Sequence, residues 1–223
     1  MTDEAKGKLG SARGPTVRRD GPAVELVVLV DEAGHAIGSA EKWATHHADT
    51  PLHLAFSCYV FDADGLFLMT RRALAKKVWP GVWSNTVCGH PAPGESVVDA
   101  IERRLDYELG MEARAVEVAL PDHLYQAPPF GGIVEYEFCP VYVARAATWP
   151  QPNPREVDAC GWVEWDEFVH EAETDTADVY SWWCKNQLKE LKDHPLILAY
   201  ARGLERSALA SGEHGENGRA QAG

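Results

Sequence analysis

The 223-residue chain has no apolar run approaching the length of about 18 residues that a membrane-crossing helix needs. Its first 22 residues are polar and contain glycine, without the apolar stretch of a secretory signal. Cysteine is sparse: Cys58, Cys88, Cys139, Cys160 and Cys184 are odd in number, widely spaced and free of any C-x-x-C pair. That argues against a disulfide framework and for a reducing, cytoplasmic setting. Basic residues are outnumbered, 21 Lys and Arg against 34 Asp and Glu, and the formal net charge is −13. Such a balance argues against nucleic acid or an anionic membrane as partner, so positive charge serving a ligand must be local.

What is present suffices for one core. With 45% hydrophobic residues and no composition break, the chain is expected to form a single domain over residues 23–206, between disordered tails at 1–22 and 207–223. Alternating apolar patterns and turn signals predict strands at about 24–30, 53–61, 66–72, 114–120, 133–144 and 157–165. Helices are expected at 96–109 and near 166–172, 178–192 and 195–206. Mixed strands with a few helices suggest an α/β sandwich.

The stretch from Lys76 to Met111 is the most informative. Val97, Val98, Ile101, Leu105 and Leu109 form an apolar stripe of helical period, with Ser96 and Asp99 as a capping box and Gly110 as a left-handed C-terminal residue. The polar face carries Glu95, Glu102, Arg103, Arg104 and Glu108. Before the helix, Cys88 and His90 stand two apart in an extended segment, which would set thiol and imidazole side by side. In the run Ile133–Val143, Glu135 and Glu137 share one face of a strand and Val134, Tyr136 and Phe138 the other. Two carboxylates held that close need a cation or a proton between them. His46 and His53 flank a turn-like Ala48-Asp49-Thr50-Pro51 and are close enough to converge.

Gly89, Glu95, Arg103, Leu105, Glu108, Gly110 and Met111 together resemble the Nudix box, a loop-helix-loop signature whose glutamates bind divalent cations on a diphosphate. Where hydrolysing members carry further glutamates this chain has Arg104 and Tyr107, so the ligands that hold metals around an attacking water are reduced to Glu108. Asn85-Thr86-Val87-Cys88-Gly89-His90-Pro91 resembles the active-site motif of type I isopentenyl diphosphate isomerases, a family built on the Nudix fold. Four further stretches resemble that family in the same order: Glu41–Phe56, Arg71–Lys77, Gly132–Pro140 and Tyr180–Trp183.

The resemblance implies a Nudix-type α/β/α sandwich with a mixed sheet and a core at about 51–185, and interconversion of isopentenyl and dimethylallyl diphosphate through a tertiary carbocation. It assigns Cys88 and Glu137 as the catalytic pair, with the glutamate side protonating and the cysteine deprotonating in the isopentenyl direction. Tyr125 and Trp183 join them, although Trp182 stands where the family often has proline and either indole could face the substrate. His46, His53, His90, Glu135 and Glu137 become a metal set, and mixed nitrogen and oxygen donors suit Mn²⁺, Zn²⁺ or Mg²⁺. His47, His123 and His170 lack that support. Glu108 and the Cys88 backbone would hold Mg²⁺ on the diphosphate, with Lys42, Arg72, Lys76 and Arg104 contacting the phosphates. Trp79 and Trp83 would serve either as pocket walls or as core. The implied partner is a small prenyl diphosphate, and the implied working form a monomer. A Nudix-type hydrolase and a noncatalytic metal- or diphosphate-binding domain are the competing readings.

Overall fold

The computed structural model describes residues 24–204, so both expected tails lie outside the described residues. The chain opens with a hairpin, β1 (Leu26–Val30) and β2 (Ala36–Glu41), then a single helical turn, α1 (Lys42–Thr45). Next come β3 (His53–Leu54), β4 (Phe56–Phe61), β5 (Phe67–Arg72), β6 (Trp83–Ser84), β7 (Val87–Gly89) and α2 (Val97–Leu109). They are followed by β8 (Ala113–Leu120), β9 (Leu124–Gln126), β10 (Tyr136–Phe138), β11 (Val141–Ala146) and β12 (Val157–Val163). Three helices close the described chain: α3 (Trp165–Thr174), α4 (Trp182–Leu191) and α5 (Pro195–Ala201).

The strands form two sheets. The larger runs β12-β5-β4-β11-β8, with β6 on β5 and β7 on β4; the smaller runs β2-β1-β3-β10-β9. All six residues of the central β4 are buried, and they alternate between layers. Phe56, Cys58 and Val60 pack with Ile101, Leu105 and Leu109 of α2. Tyr59 and Phe61 face the other way, onto Trp165, Phe168, Leu188 and Ile197 of α3 to α5. A sheet buried by helices on both faces is the expected α/β/α sandwich.

Two expected strands are each broken in two. The run 53–61 divides at Ala55 and the run 133–144 at Cys139-Pro140, because both segments leave the small sheet for the large one at the same level. They stay neighbours through the crossing: Ala55 N donates to the Phe138 carbonyl and Ser57 N to the Pro140 carbonyl. Pro140 has no N–H for a continuous ladder, so the break falls there. Val134 and Glu135 therefore precede β10 rather than belong to it. Helix α4 starts at Trp182 because the Ser181 side chain caps it, accepting from Cys184 N. Helix α5 ends at Ala201, short of the expected 206, and Gly203 follows with φ 71°. Helix α2 matches its expectation: Ser96 accepts from Asp99 N and Gly110 is left-handed.

Candidate active site and metal centre

Three imidazoles and two carboxylates meet where the small sheet joins the large one. His53 on β3 and Glu137 on β10 are register partners across a parallel pairing, and Tyr125 on β9 is Glu137's partner on the other side. His46 ends α1, and His90 follows β7. The ring centroids of the three histidines lie 4.9 to 5.5 Å apart. His46 Nδ1 faces the Lys42 carbonyl at 2.5 Å and His53 Nδ1 the Pro51 carbonyl at 2.9 Å, so each ring keeps its proton on Nδ1 and turns Nε2 inward. Glu137 Oε1 lies 3.1 Å from His90 Nε2 and 3.8 Å from His53 Nε2, and Glu135 Oε2 lies 3.1 Å from His46 Nε2.

One donor atom from each of His46, His53, His90 and Glu135 falls within 4.8 Å of the others. His46 and Glu135 are largely buried and His53 completely, while His90 is half-buried. Yet His46 Nε2, Glu135 Oε2 and His90 Nδ1 make no hydrogen bond among the described residues; the 3.1 Å approach of His46 to Glu135 is close but misaligned. Buried polar atoms left so are costly unless something else coordinates them. Inward lone pairs, orphaned donor atoms and two adjacent carboxylates fit a divalent cation.

Charge states follow the same geometry. Burial pushes His90 down to about 3, so its ring is neutral. For Glu137 burial opposes ionisation, but the His90 hydrogen bond, the neighbouring imidazoles and the Tyr125 hydroxyl outweigh it and hold the carboxyl near about 2. Burial, reinforced by the Glu137 charge, keeps the Tyr125 phenol protonated, and it donates to Glu137 Oε2 at 2.6 Å.

Cys88 lies on β7 opposite Ser57 of β4. Its thiol is 3.4 Å from Ser57 Oγ and donates to Asn85 Oδ1 at 3.1 Å; these, rather than the His90 imidazole, are its hydrogen-bond partners. Gly89 is tightly fitted, since a Cβ there would come within 3.1 Å of Arg104 and 3.2 Å of Phe56. Burial pushes the Cys88 thiol up to about 11, against the pull of Ser57 and Asn85. Trp183 is anchored by its Nε1 donating to Ser84 Oγ at 3.0 Å.

Cys88, Glu135, Glu137, Tyr125, Trp183, His46 and His90 line one cavity of about 370 Å³. Of the alternatives left open by sequence, Trp183 faces this cavity, whereas Trp182 packs against Tyr125 with 5.6 Å between centroids. Trp79 lines it too, while the Trp83 ring lies 5.7 Å from the Arg71 guanidinium. His47 is exposed, with Nδ1 accepting from Asp49 N, and His123 pairs with Glu190. His170 is exposed on α3.

The expected phosphate cations all reach this cavity, and all already have partners. Lys42 pairs with Glu25 at 2.8 Å, Lys76 with Glu156, and Arg104 with both Glu108 and Glu156. Arg72 donates from Nε and Nη2 to the carbonyls of Trp79 and Val78. Arg103 chelates Glu95 and donates to the His90 carbonyl, pinning α2 to the loop that presents that histidine. The lining carries six Lys and Arg against five Glu, a near balance that a diphosphate alone would upset and divalent cations would restore. Glu25, Glu156, Ser57 and Gln187 escaped sequence reasoning because nothing in their local pattern distinguishes them from surface acids or ordinary core.

This fold and site define a Nudix-type protein: residues 51–183 match the NUDIX domain. A crystal structure from Deinococcus radiodurans overlaps with a TM-score of 0.57 at 17% identity, covering 74% of this chain and 98% of that one, a likeness of fold. Two curated proteins named isopentenyl-diphosphate Delta-isomerase are much closer in sequence. The one from Agromyces mediolanus is 58% identical over 64% of this chain and 69% of its own length. The one from Saccharopolyspora erythraea is 49% identical over 75% and 86%. Within the NUDIX proteins, the chain belongs to the isopentenyl-diphosphate Delta-isomerase family.

Proposed function

We infer that the protein interconverts isopentenyl diphosphate and dimethylallyl diphosphate. The observation that carries this reading is the pairing, in one buried aromatic-lined cavity, of a thiol at Cys88 with a phenol-bridged carboxylate at Glu137. Shifting the double bond adds a proton to the terminal alkene carbon, leaves a tertiary cation, and removes a proton from the carbon next to the diphosphate-bearing one. Two proton-transfer groups facing one aromatic-lined cavity meet that need.

In the isopentenyl direction the Glu137–Tyr125 side supplies the first proton and Cys88 takes up the second. The reverse direction starts with the proton on Cys88 and Glu137 ionised, which is the resting charge state described above. Each turnover thus leaves the pair ready for the opposite direction, and a proton must return between them before the next. Trp183 offers its π face to the cation, a contact that contributes about 2 kcal/mol or more when desolvated. The arginine at 104 and tyrosine at 107 speak against hydrolysis, since both replace carboxylates that water activation requires.

Divalent metal fits the site. We assign His46, His53, His90, Glu135 and Glu137 to one ion, Mn²⁺, Zn²⁺ or Mg²⁺, and Glu108 with the Cys88 backbone to Mg²⁺ on the diphosphate. These ions, when bound, screen the carboxylates and neutralise the diphosphate. Lys42, Lys76 and Arg104 then turn from their internal carboxylates to phosphate oxygens, while Arg72 keeps the 78–79 backbone in place through Nε and Nη2 and offers Nη1 to the phosphates.

Residues 23–206 act as one catalytic domain about a core at about 51–185, supported by Tyr59 of β4 donating to Gln187 of α4 at 2.9 Å. We take the working form to be a monomer. Unpaired Cys58, Cys88, Cys139, Cys160 and Cys184 support a reducing cytoplasm; among the described residues no helix is long and apolar enough to cross a membrane.

The test is incubation with isopentenyl diphosphate, Mg²⁺ and Mn²⁺, following acid-labile allylic product and released phosphate together. Allylic product without phosphate is expected. Phosphate without isomerisation would replace the isomerase by a hydrolase.

A further inference from the structure

Trp79 adopts a left-handed backbone, φ 45°, a conformation costly for a bulky side chain that persists only where its surroundings enforce it. Here Arg72 enforces it, with Nε and Nη2 each donating at 3.1 Å to the Trp79 and Val78 carbonyls. Gly81, at φ 75°, returns the chain to β6, and its N–H donates to the Arg72 carbonyl at 3.1 Å. The indole is thereby turned into the cavity. It meets the Trp183 ring edge-on at 5.5 Å on one side and the Phe130 ring at 5.2 Å on the other.

Exposure rises along this row of three rings, from 6% at Trp183 to 8% at Trp79 to 38% at Phe130. Phe130 is presented by a tight turn through Gly131 and Gly132, closed by two hydrogen bonds between Phe130 and Ile133. Trp79 is therefore the partition between the aromatic end of the cavity and the outside.

We propose that Trp79 fixes the length of hydrocarbon the site accepts, closing the cavity so that a five-carbon chain fits and a longer one does not. Without the indole, the cavity opens past Phe130 and a longer chain has an exit. Arg72 makes the partition and the cationic end of the site one unit, because the guanidinium beside Trp183, 5.6 Å from its ring, also fixes the Trp79 carbonyl. This inference rests on the reading that the cavity takes a prenyl diphosphate.

The experiment is calorimetric titration of the full chain, with Mg²⁺, by saturated alkyl diphosphates of five to ten carbons, none of which can isomerise. In the native protein affinity should fall at least about tenfold within two carbons beyond five. In Trp79→Ala and Trp79→Leu the longer chains should bind at least as tightly as the five-carbon one, and the leucine variant decides the matter if the alanine variant fails to fold. Phe130→Ala should keep the native length profile, because the partition still stands. A native protein without a cutoff, an unchanged profile in the folded Trp79 variants, or an equal shift in Phe130→Ala would overturn the assignment. Native protein that binds these ligands with a cutoff but does not isomerise isopentenyl diphosphate would remove the functional reading and leave Trp79's role standing.

Discussion

Gln187 of α4 donates through Nε2 to Ser57 of β4 at 2.9 Å, and both side chains are buried. Ser57 in turn lies within 3.4 Å of the Cys88 thiol, and the Gln187 carbonyl accepts from Tyr59, so a helix packed on the same face of the large sheet as the thiol fixes the reacting group. Gln187→Leu, close in volume, takes the oxygen acceptor from the Tyr59 hydroxyl and the amide donor from the Ser57 hydroxyl, leaving both with sulfur partners alone. It should destabilise the fold by about 1–3 kcal/mol in urea unfolding and lower kcat more than it raises KM. Unchanged kcat with lost stability would confine Gln187 to the core.

The two proton-transfer residues separate by metal content. Cys88→Ala and Cys88→Ser should abolish turnover with metal stoichiometry intact, because the thiol is outside the histidine cluster. Glu137→Gln should lose turnover and tight metal binding together, since its Oε1 faces both His53 and His90. Elemental analysis beside the assay checks both, and normal metal in Glu137→Gln would take that carboxylate out of the coordination set.

Stripping metal with a chelator leaves three imidazoles and two carboxylates around unsatisfied buried atoms. Activity should vanish, and the melting temperature should fall by several degrees, as expected when a ligand held at about 1,000 times its Kd, worth about 4 kcal/mol, is withdrawn. Scanning calorimetry before and after Mg²⁺ or Mn²⁺ is restored checks it; an unmoved melting temperature would leave the cluster without a tightly bound ion.

Glu156 takes up two cations, Lys76 and Arg104, at a cavity where an anion is to bind. Glu156→Gln removes that internal competitor. Inorganic pyrophosphate should then bind about tenfold tighter, roughly 1.4 kcal/mol, with a steeper salt dependence. Weaker binding would mean that the carboxylate holds the two cations in place rather than competing for them.

Gly65, at φ 94°, closes the Asp62–Gly65 turn, and a Cβ there would collide with the Ala201 carbonyl oxygen at the end of α5. Strain and collision together should cost Gly65→Ala at least about 2 kcal/mol, read from the denaturation midpoint. A change within 0.5 kcal/mol would show that the turn moves away freely.

Much of this arrangement is legible in the chain. Helix α2 announces itself because its stripe, cap and terminal glycine agree, and the Glu135/Glu137 pair does reach one cavity, although Glu135 stands just before the strand rather than on it. The small hairpin strand β2 is not legible: Ala36–Glu41 is mostly exposed and carries no alternating pattern for burial to impose. The breaks at Ala55 and Pro140 are equally silent, since a strand that changes sheets keeps an apolar pattern on both sides of the crossing. Arg72 illustrates the limit for single residues. The family resemblance offers it as a phosphate ligand; that two of its donor nitrogens also hold carbonyls of a strained turn shows only in the folded chain.

Between Tyr136 and Phe138, Glu137 points to the histidines while its neighbours pack with Val28, Val30 and Leu52. A strand that slipped by one residue would exchange the two faces. It would push a carboxylate into that apolar layer and an aromatic ring among the metal ligands. The pairing that carries the chemistry is thus proofread by the same apolar side chains that hold the small sheet together. A misregistered chain would be rejected as unstable before it could be merely inactive.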